Sequence, residues 1–199
     1  MDATNLLVAY PTGAGNIRTL ASDRIFHSSG AWLSDGQRMV FVGNEPNHLI
    51  RYYVQDSPTS TPRPLSGENI AFSRIDDRIL PSPDDSRVAA SIKGEGIQLL
   101  PIAGGTARVI PGTNGFSPVA WCGNQSLLMS QQGKIPIQVV KVDVQSGKQQ
   151  VWKELVPRER TALSMIQAVR FASDCETYGY TAQYDPSTLS VLRLSTSRQ

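Results

Sequence analysis

The chain has 199 residues, of which 40% are hydrophobic and 18% charged, and its formal net charge is +2. That length allows one domain or two small ones, and the scatter of its 19 basic residues argues against a nucleic-acid partner, which needs clustered Lys and Arg. No apolar run approaches the ~20 residues of a membrane span, and the first residues, MDATNLLVAYP, lack the pattern of a signal peptide. We therefore expect a soluble chain without direct membrane insertion that, as written, starts in the cytoplasm.

In chain order, short apolar stretches alternate with turn sequences throughout. Residues 6–20 predict two strands of a unit whose first half is missing. Four hairpins of similar outline follow, and they are LSDGQRMVF from Leu33, SPDDSRVAA from Ser82, WCGNQSLLM from Trp121 and ASDCETYGY from Ala172. They lie 49, 39 and 51 residues apart when aligned on Asp35, Asp84, Gly123 and Asp174. A strand-rich repeat of roughly 40–50 residues is typical of propeller blades.

Each repeat has the same predicted strand order. One strand leads into the turn, a second follows it, and a polar or Gly-containing loop precedes a third strand and a short fourth one. The inner strands, such as SLLM and RMVFV, are mixed apolar runs, as expected of sheets buried on both faces. One helical turn is predicted around residues 159–167, ERTALSMIQ. The last repeat offers three strands, and open sheet edges of this kind permit self-association.

We therefore predict an all-β fold, namely a partial β-propeller, open or four- to five-bladed, built of four-stranded antiparallel blades. Residues 1–199 are expected to form a single propeller. The approximate blades are residues 5–22 (half), 28–67, 73–111, 116–154 and 165–195 (three strands).

Several strings carry a family resemblance when they are taken in this order. They are FVGNEPNHLIRYYVQD, LPSPDDSRVAA, QVVKVDVQSGKQQVWKEL and VRFASDCETYGYTAQYDPSTLSVLRL. They resemble the TolB-like, WD-type propeller region, in particular the C-terminal propeller of bacterial eukaryotic-like serine/threonine protein kinases. The resemblance implies an extracytoplasmic propeller that follows a kinase domain and a membrane span. The kinase motifs themselves are absent from this sequence, so the resemblance implies no kinase activity here.

The residue types that carry catalysis or bind metals form no convincing group. His27 and His48, the two histidines, lack partners at ligand spacing and are interpreted as solvated loop residues. Asp76–Asp77 and Asp84–Asp85 are interpreted as turn residues that bond to their own backbone. No G-x-S-x-G elbow is present. We therefore predict no catalytic, cofactor-binding or metal-binding residue and no cofactor.

Other motifs have structural interpretations as well. Lys93–Ile97, KGEGI, is interpreted as a hairpin loop, because no helix follows to bind a phosphate. Asp56–Leu65, DSPTSTPRPL, is interpreted as an extended strand connection, with a phosphorylated or docking segment as the alternative. Asn124–Ser126 matches a glycosylation sequon in a tight turn. For Cys122 and Cys175 one bridge is possible, but two unrelated thiols are favoured, with Cys122 a buried filler and Cys175 exposed in the place of a turn glycine.

Three hypotheses for the function follow. The first is a non-enzymatic interaction or sensor module that binds a protein partner or small ligand on its loops or channel, as a piece of a larger signalling protein. The second is the non-catalytic propeller part of a serine peptidase or other hydrolase, since fold does not fix function. The third is a gene remnant without independent function.

Overall fold

The structure, a computed structural model, describes residues 8–19, 24–68, 70, 78–131 and 133–185. These residues form strands, turns and loops, and no helix occurs among them. The described part therefore contains no helix long and apolar enough to cross a membrane.

Three antiparallel sheets of four strands dominate the molecule, and in each the strands pair in chain order. Sheet I consists of β3 (Phe26–Trp32), β4 (Met39–Asn44), β5 (Arg51–Gln55) and β6 (Arg63–Pro64). Sheet II consists of β7 (Leu80–Pro81), β8 (Arg87–Ile92), β9 (Gly96–Pro101) and β10 (Arg108–Val109). Sheet III consists of β11 (Ser117–Cys122), β12 (Ser126–Ser130), β13 (Ile137–Asp143) and β14 (Gln149–Leu155).

A two-stranded hairpin lies on each side of these sheets in the sequence. The first pairs β1 (Val8–Ala9) with β2 (Arg18–Thr19), and the second pairs β15 (Leu163–Phe171) with β16 (Tyr178–Tyr184). Strand β11 contacts β7 of the preceding sheet and β15 of the following hairpin. First strands of successive units therefore lie side by side, which is the arrangement of a propeller. The predicted all-β partial propeller of four-stranded antiparallel blades is confirmed.

The core consists of apolar layers between successive sheets. Strand β12 shows how they form, since Leu127 and Met129 pack between sheets II and III while Leu128 packs between sheet III and the β15–β16 hairpin. All three side chains are fully buried. Side chains alternate between the two faces of a strand, so a strand between two neighbours needs apolar residues on both faces. This explains the mixed apolar runs of the sequence.

The helical turn predicted around residues 159–167 is wrong. Residues 161–162 form a turn, and β15 begins at Leu163 and pairs with β16 as far as Phe171. The pairing is irregular between Gln167 and Arg170, where Ala168 has a φ of +53°. Pairing and burial of Ile166 and Val169 against sheet III outweigh the weak local helix propensity of this segment.

The antiparallel order gives each sheet two ends. We call the "turn end" the one that carries the turns between first and second strands, at residues 33–38, 82–87, 122–126 and 172–177. We call the "loop end" the opposite one, which carries the loops between second and third strands and the connections from one sheet to the next.

Candidate functional site

At the turn end, one turn conformation occurs in three of the four hairpins. Asp35 accepts hydrogen bonds from the N–H groups of Gln37 and Arg38 at 2.8 and 2.9 Å. Asp174 accepts them from Glu176 and Thr177 at 2.8 and 2.9 Å. Asp84 accepts a hydrogen bond from the N–H of Ser86 in the same way, at 3.1 Å. These aspartates are backbone acceptors of the kind that stabilises tight turns.

The residue after each of these aspartates has a left-handed backbone. Its φ is +65° at Gly36, +54° at Asp85 and +59° at Cys175. The third hairpin differs, because its turn closes over three residues between the paired Cys122 and Ser126 and contains no aspartate. Its left-handed residue is Gly123, with a φ of +65°. The sequence repeat aligns Gly123 with Asp35. By backbone conformation, however, Gly123 corresponds to Gly36.

The turn hydrogen bonds keep these carboxylates ionised. The side-chain hydrogen bond from Arg38, followed by those of the backbone, lowers the pKa of Asp35 to about 2. The hydroxyl groups of Ser82 and Ser86 lower the pKa of Asp84 to about 2. Such groups are poor proton donors near neutral pH. The turn interpretation of Asp84 fits this geometry, while Asp76–Asp77 lie outside the described residues.

Side chains also link each turn to the next one. The carboxylate of Asp85 accepts hydrogen bonds from the hydroxyl and from the N–H of Ser34, the latter at 2.8 Å, which joins the turns of sheets I and II. The turns of sheets II and III are joined through Asn124, whose side-chain oxygen accepts from the N–H of Asp84 at 3.2 Å. Its carbonyl oxygen accepts from Arg87 at 2.7 Å. Asn124 of the sequon is therefore part of a contact between two sheets.

The third link is a disulfide, so the favoured interpretation of two unrelated thiols is wrong. Cys122 and Cys175 are bonded with an S–S distance of 2.04 Å, and their Cα atoms lie 5.9 Å apart. Cys175 is buried and not exposed as predicted, and its carbonyl accepts a hydrogen bond from the Trp152 indole at 3.1 Å. The two cysteines are 53 residues apart in sequence but belong to adjacent units in space. Interactions between neighbouring sheets thus occupy much of the turn end.

The Ser/Thr/Pro-rich segment from Asp56 to Leu65 connects the third and fourth strands of sheet I. It forms a compact turn at residues 58–60 and is not extended throughout. Ser60 closes the turn by accepting from the N–H of Ser57 at 2.9 Å and donating to the carbonyl of Ser57 at 3.0 Å. Gln55 donates to the carbonyl of Ser60 at 3.0 Å. These internal bonds account for the polar residues of the segment.

The two histidines occupy different environments. His27 lies in β3, is buried, and packs against Phe41 with a ring-centroid distance of 4.7 Å, so its interpretation as a solvated loop residue is wrong. Because β3 is an edge strand of sheet I, the burial of His27 comes from this packing against Phe41 of β4. His48 lies in an exposed loop at the loop end, and its Nδ1 is 2.7 Å from Oε1 of Glu68. This contact is the main cause of a lowered pKa of Glu68.

The ion pairs around His48 close the loop end of sheet I. Arg51 pairs with Glu45 and lies 3.8 Å from Glu68, and its Nε donates to the Tyr53 hydroxyl at 2.9 Å. The loop between β4 and β5 is thereby tied to the segment that follows β6. Among the described residues, no group of three or more His, Cys, Asp or Glu side chains could hold a metal ion.

A depression of about 300 Å³ opens at the loop end where sheets II and III meet. One wall is the tight turn between β8 and β9, the KGEGI segment, which forms the predicted hairpin loop. The other wall is the connection from β10 to β11. The lining residues are Ser91–Gly94, Gly96 and Asn114–Ser117.

The base of the depression is closely packed. A Cβ atom at Gly96 would lie 2.7 Å from the hydroxyl of Thr113 and 2.9 Å from the nitrogen of Asn114. The Thr113 hydroxyl accepts from the N–H of Ile97 at 2.8 Å and donates to the carbonyl of Ile110 at 2.7 Å. The two walls are therefore held together by backbone contact that leaves no room for a side chain.

The rim of the depression carries one charged side chain, Lys93, which is exposed. No ion pair or hydrogen bond links its ammonium group to the part of the chain that the structure describes. The neighbouring acid, Glu95, does not line the depression and accepts a hydrogen bond from Gln98 at 2.6 Å. Asn114 adds an exposed amide on the opposite wall. The site therefore offers a cation and polar groups to a ligand. The sequence left the binding residues of the protein unassigned, because the two walls of this depression are separated in the sequence.

Comparisons with known proteins support the fold. The sequence matches no protein-family model and no curated protein. The structure is similar to TolB from Acinetobacter baumannii, with a TM-score of 0.61 and 18% identity over 88% of this chain and 42% of that one. It is similar to a putative TolB from Agrobacterium tumefaciens, with a TM-score of 0.53 and 18% identity over 85% of this chain and 62% of that one.

A third similar structure is a chain of a nidogen/laminin complex, with a TM-score of 0.63 and 7% identity over 90% of this chain and 67% of that one. At these identities the similarity shows the fold alone. The chain spans 42% and 62% of the length of the two TolB structures. The protein therefore has the fold of a partial β-propeller, similar to part of the TolB structures.

Proposed function

We propose that the protein is a non-enzymatic interaction module that binds a protein partner at its loop end and forms part of a larger propeller. The observation that carries this proposal is the depression between sheets II and III. It is preformed, exposed and bordered by Lys93, whose charge the described residues do not neutralise. The similar nidogen chain comes from a complex with another protein, which supports protein binding as a use of this fold.

The carboxylates support a module without catalysis. Asp35, Asp84 and Asp174 at the turn end are held as ionised acceptors by their own turns, and the pKa of each is lowered. A general acid needs a pKa near the working pH. Among the described residues, no comparable structural feature favours the alternatives of a hydrolase propeller or a gene remnant.

The disulfide between Cys122 and Cys175 bears on where the module works. Disulfides persist mainly in oxidising compartments. Together with the resemblance to the C-terminal propellers of bacterial serine/threonine kinases, this supports an extracytoplasmic position in a larger signalling protein. Analysis of the protein on non-reducing gels, after thiols have been blocked in intact cells, tests the bridge directly.

Site-specific photo-cross-linking tests the loop end as the binding surface. A photoreactive amino acid replaces Asn114 at the loop end in one variant and Gln37 at the turn end in a matched control, since both side chains are exposed. Each variant is expressed in cells of its source organism before irradiation. We expect a discrete adduct from position 114 and none from position 37. Equal adducts, or none from position 114, would contradict the proposal.

A further inference from the structure

We propose that the depression between sheets II and III binds a carboxylate group of an extended peptide, with Lys93 as its counter-ion. This inference rests on the proposed function, because it names the chemistry that the same site recognises. It goes beyond protein binding in general by assigning one subsite and one ligand group.

Rigidity is the first argument. The two walls meet at Gly96, where the backbone approaches Thr113 and Asn114 too closely for any side chain. A second contact ties the walls together, since the Ser91 hydroxyl donates to the carbonyl of Phe116 at 3.4 Å. A site whose walls are already fixed costs little ordering entropy when a ligand enters. The volume of about 300 Å³ lies at the small end of the range for ligand pockets, so it suits one side chain or one chain end.

Charge is the second argument. Lys93 is the one charged residue among the described residues that line the depression, and none of those lining residues carries a carboxylate. An exposed ammonium group beside a concave surface attracts an anion and selects against a cation. The nearby Glu95 bonds to Gln98, on the outer side of the turn.

The accessible backbone is the third argument. Gly94 and Gly115, on opposite walls, each have a φ of +80°, and a Cβ atom at either would meet open space. The main chain of both walls is therefore open to a ligand beside Lys93. The exposed amide of Asn114 can donate a further hydrogen bond, and the half-buried ring of Phe116 provides an apolar contact for methylene groups.

The donor set matches a carboxylate better than a phosphate. Lysine can bind phosphate as a point charge, but bidentate recognition of phosphate uses the planar group of arginine, and other phosphate sites use the N-terminus of a helix. The lining contains neither of these. One lysine and one amide suit a singly charged group. The carboxylate has two sources, an acidic side chain or a chain terminus, and the test separates them.

The experiment is an NMR titration of the isotopically labelled chain with short peptides, in which the chemical shifts of the backbone amides are measured. The probes are a pentapeptide of alanines with a central glutamate and both ends blocked, the same peptide with glutamine, and pentaalanine with a free C-terminal carboxylate. We expect saturable shifts confined to residues 93–96 and 114–117 with the glutamate peptide, and binding at least about tenfold weaker with glutamine, as for loss of a charge-assisted hydrogen bond. Binding of pentaalanine alone would support the carboxylate and assign it to a chain terminus.

Two variants identify the residue responsible. Lys93→Gln should weaken binding of the preferred carboxylate probe by about tenfold or more. Lys148→Gln should leave it unchanged, because Lys148 is an equally exposed lysine at the turn end. Equal shifts with glutamate and glutamine, shifts elsewhere, or undiminished binding by the Lys93 variant would each overturn the inference. If none of the three peptides binds but the cross-linked adduct at position 114 persists, the carboxylate assignment fails and the proposed function stands.

Discussion

The two ends of the sheets differ in what their side chains do. At the turn end, the carboxylate of Asp85, the amide of Asn124 and the disulfide between Cys122 and Cys175 connect one sheet to the next. At the loop end between sheets II and III, Lys93 and Asn114 stand exposed around a depression. Both ends belong to sheets of similar strand order. Segments of similar sheets therefore join neighbouring sheets at the turn end and leave exposed polar groups around a depression at the loop end.

Removal of the disulfide at the turn end should cause the largest loss of stability. Replacement of Cys122 and Cys175 by serine should lower the free energy of unfolding by about 4 kcal/mol, because the bridge closes a long loop in the unfolded chain. Their sequence separation is 53 residues. Urea unfolding of the oxidised protein and of the double variant measures the difference. An unchanged unfolding midpoint would mean that the bridge does not hold the sheets together at the turn end.

An added methyl group at the base of the depression should have the next largest effect. Gly96→Ala should destabilise the fold by roughly 2–3 kcal/mol, since it combines a φ of +98° with a contact of 2.7 Å to Thr113. Gly94→Ala is the matched control, with a φ of +80° and open space around the new Cβ, and should cost only about 1–2 kcal/mol. Thermal unfolding of both variants measures the difference. Equal losses would show that the base is not tightly packed.

Acid should weaken the turn end through its aspartates. The pKa values of Asp35 and Asp84 are lowered from 3.8 to about 2 in the folded protein. In the unfolded chain these carboxyl groups have their ordinary pKa of about 4. The contribution of both aspartates to stability is therefore complete above about pH 4 and is lost as the pH falls toward 2. Asp84→Asn should flatten the decline of the unfolding free energy between pH 4.5 and 2. An identical pH profile in the variant would show that the turn hydrogen bonds of Asp84 do not stabilise the ionised form.

Substitution of Lys93 should have the smallest effect on stability. Lys93→Gln should change the free energy of unfolding by no more than about 0.5 kcal/mol, because its side chain makes no ion pair with the residues that the structure describes. The same variant should lose peptide binding, so stability and binding separate at this position. A large loss of stability in urea unfolding would place Lys93 among the residues that hold the fold.

The architecture was predictable because it depends on local patterns that recur. Short apolar runs such as SLLM, together with turn residues at Gly36 and Asp84, encode hairpins wherever they occur. Their spacing of 39 to 51 residues was enough to predict four-stranded blades. Burial on both faces is also visible in the sequence, since β4, β8 and β12 consist mainly of apolar or small residues.

Other features depended on which residues the fold brings together. The segment 159–167 resembles a helix in its local sequence, but β15 pairs with β16. The buried position of His27 follows from its packing against Phe41 of the paired strand β4. Cys122 and Cys175 could form a bridge only because adjacent sheets place their Cα atoms 5.9 Å apart.

The depression beside Lys93 belongs to the same class of features, since its walls come from segments about 20 residues apart in the sequence that tertiary packing brings together. The sequence by itself therefore determined the strands, the turns and the repeat, because backbone preferences and side-chain alternation act over a few residues. The tertiary structure alone decided the disulfide and the candidate site. Contacts between sheets depend on distances between residues that are far apart in the sequence, and the local backbone preferences do not determine those distances.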